Sequence, residues 1–223
     1  MTEHVTSPFG DEPLGPVEIR VLGCLIEKQL TTPESYPLTL NAVLLAANQK
    51  TSRDPIMNVQ QGEAGKALKR LEERGLVRLV MGSRADRWEQ RTEKGLELIA
   101  PQVVLLGLLM LRGPQTPGEL LARSTRMHAF DDTEELKHQL ERLTARGLVQ
   151  QLPRQSGQRE ERYVHQMGSP ADRESMVQAA VSHAGASEPA IDPDRITQLE
   201  ARIATLEAKL DTLEKALESG AQG

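Results

Sequence analysis

Residues Leu68–Val77 read LKRLEERGLV, and residues Leu140–Val149 read LERLTARGLV. Seven of the ten positions are identical, including Arg74-Gly75-Leu76-Val77 against Arg146-Gly147-Leu148-Val149. Leucines at three-residue spacing predict the last turns of an amphipathic helix, and a glycine just past them predicts a left-handed cap. A strand should follow each glycine. LVRLVM alternates as far as Gly82-Ser83 before RWEQR returns, and LVQQLP runs into Gln155-Ser156-Gly157 before REERYVHQ returns. Helix, glycine and hairpin, with turns expected at 82–86 and 154–159, make the second half of a winged helix-turn-helix.

The repeat extends upstream. Thr32-Pro33-Glu34 and Thr116-Pro117-Gly118-Glu119 each place a threonine before a proline, the pattern of an N-cap followed by a first helical residue. Before each lies an apolar helix, with Ile19, Leu22, Ile26 and Leu30 at spacings of three and four in the first copy and VVLLGLLML over Val103–Leu111 in the second. Counted from these threonines to the capping glycines, the first copy carries 12 extra residues. They fall within TTPESYPLTLNAVLLAANQKTSRDPIMN.

The expected class is therefore α+β, with two tandem winged helix-turn-helix domains followed by a C-terminal coiled-coil helix. The boundaries read as a disordered tail over 1–15, domain 1 over 16–92, domain 2 over 93–167, a linker over 168–190 and the coiled coil over 191–219. A chain of 223 residues exceeds the usual size of one domain. The only aromatic residues are Phe9, Tyr36, Trp88, Phe130 and Tyr163, so two small aliphatic cores are expected. The linker is rich in Ala, Ser and Gly, with a helical stretch expected around Arg173 to Val181.

Charge separates the two copies. Residues 16–91 carry a net charge of +3, residues 92–166 are neutral, and the acidic excess of the whole chain (−5) lies in the two end segments. Duplex DNA binding draws on a concentrated basic face, because phosphate neutralisation supplies most non-specific affinity. In the first copy, the helix from about Asn58 to Arg74 leaves Lys66, Lys69 and Arg70 toward the exposed side, and Arg84 and Arg87 sit at the hairpin turn. These are candidate DNA contacts, although Glu63, Glu72 and Glu73 interleave with them and fit a solvated helix face equally well. The matching helix of the second copy opens Asp131-Asp132-Thr133-Glu134-Glu135. Carboxylates suit a helix N-terminus but repel phosphate at the end that enters a groove, so this copy reads as structural or as a contact for another protein.

The C-terminal segment places Ile196, Leu199, Ile203, Leu206, Leu210, Leu213 and Leu217 at alternating spacings of three and four, a heptad seam entered through Asp192 and Pro193. Isoleucine alternating with leucine favours two parallel strands, with Arg195, Arg202 and Lys209 facing Glu200, Glu207 and Glu214 of a second copy. A homodimer is expected, with a lone amphipathic helix as the alternative.

Signatures of catalysis are missing, so no enzyme activity, cofactor or metal is expected. His4, His128, His138, His165 and His183 are scattered, and the sole cysteine, Cys24, lies in an apolar helix and reads as a small core residue. Gly62-Glu63-Ala64-Gly65-Lys66 lacks the Ser/Thr and the preceding strand of a phosphate loop and is assigned to a helix start. No signal peptide opens the chain, and its longest apolar run falls short of the ~20 residues that cross a bilayer. A reducing cytoplasm, with no membrane contact, is the expected location.

VLGCLIEKQLTTPESYPLTLNAVLLAANQKTSRDPIMN, with RGPQTPGELLARSTRMHAF and the two RGLV caps, resembles the bacterial YceH-like family over roughly residues 16–166. The resemblance implies an uncharacterised protein with two tandem winged helices, and it implies no activity. The shared block includes Asn41, Asn48, Gln49, Lys50, Arg53 and Pro55. Lys50 and Arg53 could grip phosphate, or the polar run could close a long loop onto the helix ends. Two functions stay open: a dimeric, regulator-like DNA-binding protein using Lys50, Arg53, Lys66, Lys69, Arg70, Arg84 and Arg87, or an adaptor that uses its winged helices to pack against other proteins.

Overall fold

The computed structural model describes Phe9, residues 12–154 and residues 160–185. Described residues through Ala180 make one compact unit, and Val181 begins a second, of which only the backbone at the end of one helix is described. The segment assigned to the coiled coil, 191–219, lies outside the described residues, as does most of the expected turn 154–159.

The class is α+β, and one order of elements occurs twice. In the first half α1 (Pro16–Thr31) leads to β1 (Leu38–Thr39), α2 (Leu40–Ala47) and α3 (Gln61–Glu73), then to the hairpin β2 (Val77–Val80) and β3 (Arg87–Gln90). A short helix, α4 (Thr92–Gly95), connects to the second half. There α5 (Ala100–Arg112), α6 (Pro117–Ser124) and α7 (Thr133–Ala145) precede the hairpin β4 (Val149–Leu152) and β5 (Arg162–His165). In the first half β3 is the middle strand of an antiparallel sheet, with Leu38 of β1 opposite Trp88. In the second half β1 shrinks to one bridge, Gln115 opposite Tyr163.

The caps repeat in detail. Gly75 and Gly147 have φ of 70° and 69°, conformations that a side chain disfavours. Leu76 N donates to Leu71 O at 2.9 Å, and Leu148 N donates to Leu143 O at 3.0 Å, closing each helix in the same way. The starts of α1 and α5 match as well: Gly15 N donates to Glu18 Oε2 at 2.9 Å, and Ile99 N to Gln102 Oε1 at 3.4 Å.

One expected cap is corrected. Thr32-Pro33 opens only a 3-10 turn, Pro33–Ser35, and the Thr32 side chain caps nothing there. The counterpart of Thr116 is Thr39, whose Oγ1 accepts from Ala42 N at 3.3 Å, as Thr116 Oγ1 accepts from Glu119 N at 3.2 Å. A second pair confirms this register: Arg87 Nη1 donates to Pro37 O at 2.7 Å, and Arg162 Nη1 to Pro114 O at 3.0 Å. The surplus of the first copy thus divides into seven residues ahead of α2 and five between α2 and α3.

The two halves share a core. One buried cluster runs from Leu22, Leu25 and Ile26 through Leu68, Leu71 and Trp88 to Leu105, Leu106, Leu140, Leu143 and Tyr163. Its centre is the crossing of α1 and α5, where glycines let the helices approach. A Cβ on Gly23 would lie 3.2 Å from Met110 Cβ and 3.0 Å from the Leu111 side chain. A Cβ on Gly107 would lie 2.8 Å from Ile26 Cγ2. Gly23 and Gly107 occupy the same place in the repeat, as do Ile26 and Met110, so the crossing is a pseudo-two-fold contact.

The lead-in to each first helix completes that relation. Leu14 N donates to Met167 O at 2.8 Å, just past β5, and Leu98 N donates to Glu93 O at 2.9 Å, just past β3. Each copy's entry is thus fastened to the exit of the other's hairpin. Leu14 is buried, so the end of the segment read as a tail packs onto the core. Much of the segment read as a linker is helix α8 (Pro170–Gly185).

Candidate nucleic-acid interface

α3 is a 13-residue helix whose Ala64, Ala67, Leu68 and Leu71 are buried, a stripe that fixes which side faces outward. Gln60 N donates to Glu63 Oε2 at 2.7 Å, starting the helix just before Gln61. The outward side carries Gln61, Gly62, Gly65, Lys66 and Lys69. With Leu40 from the start of α2 these residues line an open groove. Among the described residues no carboxylate is paired with Lys66 or Lys69.

The other expected contacts are placed as follows. Arg84 is exposed in the turn between β2 and β3, and Lys50 is exposed just past α2. Arg70 is 71% exposed, with its Nη1 3.3 Å from Glu18 Oε1. Arg87 is exposed along β3, but its guanidinium is tied to the Pro37 carbonyl, a bond that Arg162 reproduces in the other half. It helps to position β1 as well as facing solvent.

Arg53 is a correction. Its side chain is 0% exposed, and its Nη2 and Nη1 meet Glu27 Oε2 and Oε1 at 2.6 and 3.1 Å. Nε donates to Ala46 O at 3.0 Å, and Nη2 also donates to Gln49 Oε1 at 2.9 Å. A guanidinium with its donors committed to interior partners cannot reach a phosphate. Asn48 completes the closure, with Nδ2 donating to Val59 O at 2.9 Å and Oδ1 accepting from Val59 N at 2.7 Å. The polar run after α2 is therefore the clasp of a loop.

Two residues of that clasp escaped sequence reasoning. Glu27 of α1 is the carboxylate partner, 26 residues before Arg53. Arg20, also on α1, is 2% exposed and donates from Nη2 to Pro55 O at 2.6 Å. Spacings of Arg20, Cys24 and Glu27 on one helix face held the only signal. Burial pushes the Cys24 thiol up to about 11, so it stays protonated and unreactive.

The second copy presents the same face with different chemistry. Aligned on the RGLV caps, the positions of Gly62, Gly65, Lys66 and Lys69 hold Glu134, Lys137, His138 and Glu141. Lys137 Nζ lies 2.9 Å from Glu134 Oε1, covering the strip that is bare in α3. Asp132 Oδ1 accepts from Glu135 N at 2.8 Å, and Glu135 Oε2 accepts from Asp131 N at 2.8 Å, so the acidic opening of α7 serves as its cap. Among the described residues no cluster of His, Cys, Asp or Glu is arranged to hold a metal, and no helix is long and apolar enough to cross a membrane.

Comparison with known sequences decides the family. Residues 14–158 match the family described as "Protein of unknown function, DUF480". The chain belongs to this family. A UPF0502 protein of Ectopseudomonas mendocina (strain ymp) is 66% identical over 195 residues, covering 87% of this chain and 89% of that one. UPF0502 proteins of Pseudomonas aeruginosa (strain LESB58) and Pseudomonas putida are 62% and 59% identical, covering 85% and 90% of this chain and 86% and 94% of theirs. Membership in a family of uncharacterised bacterial proteins agrees with the resemblance carried by the loop and cap motifs. The DUF480 match takes in both RGLV caps and both helices of the α1–α5 crossing.

Proposed function

We propose that this DUF480 chain is a non-enzymatic, regulator-like, cytoplasmic protein that binds double-stranded DNA through the first of two tandem winged helices. The observation that carries this reading is the outward face of α3, where Lys66 and Lys69 lack a carboxylate partner among the described residues and follow the bare backbone of Gly62 and Gly65. A helix-turn-helix presents its third helix to the major groove, and lysines at that face neutralise phosphate. Arg84, in the hairpin turn, is the wing contact. Lys50 and Arg70 lie at the edge of the same reading, whereas Arg53 leaves it.

The second winged helix is the packing half. The acidic opening of α7 turns phosphate away and suits contact with another protein. The heptad seam from Ile196 to Leu217 joins two chains as a parallel homodimer, so that a dimer offers two α3 faces to one duplex.

Duplex binding measured against salt tests the proposal. Log affinity should fall with log salt at about −0.9 per phosphate contacted, and the double change Lys66→Ala with Lys69→Ala should flatten the slope by nearly two such contacts. Lys137→Ala with Arg142→Ala should leave it unchanged. Absence of duplex binding at low salt overturns the proposal, and an equal or larger effect from the second pair overturns the assignment of DNA contact to the first copy alone.

A further inference from the structure

The glycines of α3 have no internal explanation. Gly23 and Gly107 sit where a Cβ would strike the crossing helix. At Gly62 and Gly65 an added Cβ would meet nothing within 4 Å. Glycine inside a helix is unfavourable relative to alanine, and the packing here does not require it. The equivalent positions of α7 carry the long side chains Glu134 and Lys137, so the fold accommodates substitution there. What the two glycines produce is a groove on the exposed face of α3, floored by backbone, walled on one side by Leu40 and flanked by Gln61, Lys66 and Lys69.

We propose that this groove is the base-reading site of the protein, and that it takes an A·T pair in the major groove of a duplex. The inference rests on the DNA reading above and names what the face reads. The argument follows from the lining. Lys66 and Lys69, on the same face just beyond the glycines, supply charge for phosphate, while the surface at Gly62 and Gly65 lacks a side chain and is bordered by the apolar Leu40. The only apolar group that a base pair projects into the major groove is the thymine methyl. Gln61, at the first turn of α3, presents an amide, and an amide pairs with adenine through its N6 and N7 edge. Bare backbone lets α3 sit lower on the groove floor than a helix with side chains at positions 62 and 65. The second copy lacks this surface. Glu134 and Lys137 bridge across the strip, and Glu141 replaces Lys69, so α7 has neither the depth nor the charge.

The test selects bound duplexes from a random library with the full-length protein, then rebuilds the preferred duplex with deoxyuridine in place of thymidine. An A·T pair should emerge at a fixed position, and loss of the methyl group should weaken binding about fourfold, the effect of one buried carbon. Gly65→Leu places a strong helix former in α3 while filling the groove. It should erase both the A·T preference and the deoxyuridine effect while leaving the salt slope as it was. Gln61→Ala should relax the adenine preference by about tenfold, the lower range for a paired amide. Far-ultraviolet circular dichroism checks that both variants are folded. Retention of duplexes without an A·T preference, or with an unchanged preference in Gly65→Leu, overturns this inference while the DNA reading stands. Retention of no duplex at low salt overturns the DNA reading, and this inference with it.

Discussion

Ile26 and Gly107 meet where α1 crosses α5, and no side chain fits between them: a Cβ on Gly107 would stand 2.8 Å from Ile26 Cγ2. Met110 and Gly23 make the counterpart contact across the pseudo-two-fold axis. The crossing ties together elements that sequence analysis assigned to separate domains.

The first prediction concerns that crossing. Gly107→Val should destabilise the protein by about 2 kcal/mol through overpacking, and Ile26→Ala by about 3 kcal/mol through a cavity. The double variant should lose clearly less than the sum, because each change accommodates the other. Urea denaturation of the four proteins of the cycle measures the coupling. Strict additivity would show that the two residues do not press on each other.

Arg53 supplies the second. Arg53→Ala leaves the mostly buried Glu27 carboxylate without its cation and should remove about 3 kcal/mol or more of stability. Arg53→Lys should restore little, since one ammonium cannot replace the paired contacts with Glu27 and the bonds to Ala46 O and Gln49. Neither change should alter the salt slope of the proposed duplex binding, which separates the clasp from the proposed DNA face.

The third follows from His165, which is wholly buried on β5, with Met167 N donating to its Nδ1. Desolvation, and then the nearby Arg173 charge, lower its pKa from 6.5 to about 4. Between those values the unfolded chain binds a proton that the folded chain refuses. Stability tied to this group is therefore complete above about pH 6.5 and is lost as pH falls toward 4. From pH 7 to pH 5 the loss should be about 2 kcal/mol, and His165→Gln should flatten that part of the profile. A profile unchanged by the substitution would remove His165 from the account.

A fourth concerns assembly. Full-length protein should scatter light as a dimer, and removal of residues 191–223 should shift it toward monomer. An equal number of chains per particle for both forms would place any dimer contact outside residues 191–223 instead.

Local chemistry was readable from sequence, and long-range chemistry was not. The two RGLV caps announced themselves because a left-handed glycine after a leucine-spaced helix depends on neighbours only a few residues away. Thr32-Pro33 misled for the same reason: threonine before proline fits a 3-10 turn as well as a helix start. The true cap, Thr39, is marked by pairing of Leu38 with Trp88 across 50 residues. Arg53 looked like a surface cation because its carboxylate belongs to α1, 26 residues back. Gly62 and Gly65 were visible from the start, but whether a glycine lies beneath a neighbour or under open solvent is decided by the fold. The same holds for Gly23 and Gly107, whose matching places in the repeat were the one available hint of the crossing.

The hydrogen bond from Leu14 to Met167 has a topological consequence. It brings the entrance of the folded unit to the exit of its last strand, so the two copies close into a ring whose cyclic order matters more than where the polypeptide is cut. A short bridge joining residue 167 to residue 14, with new ends opened in the 82–86 turn, would preserve the helix crossing, both hairpin exits and the clasp. Such a permutant would exchange the order of the copies along the chain and leave the molecule's interior as it is.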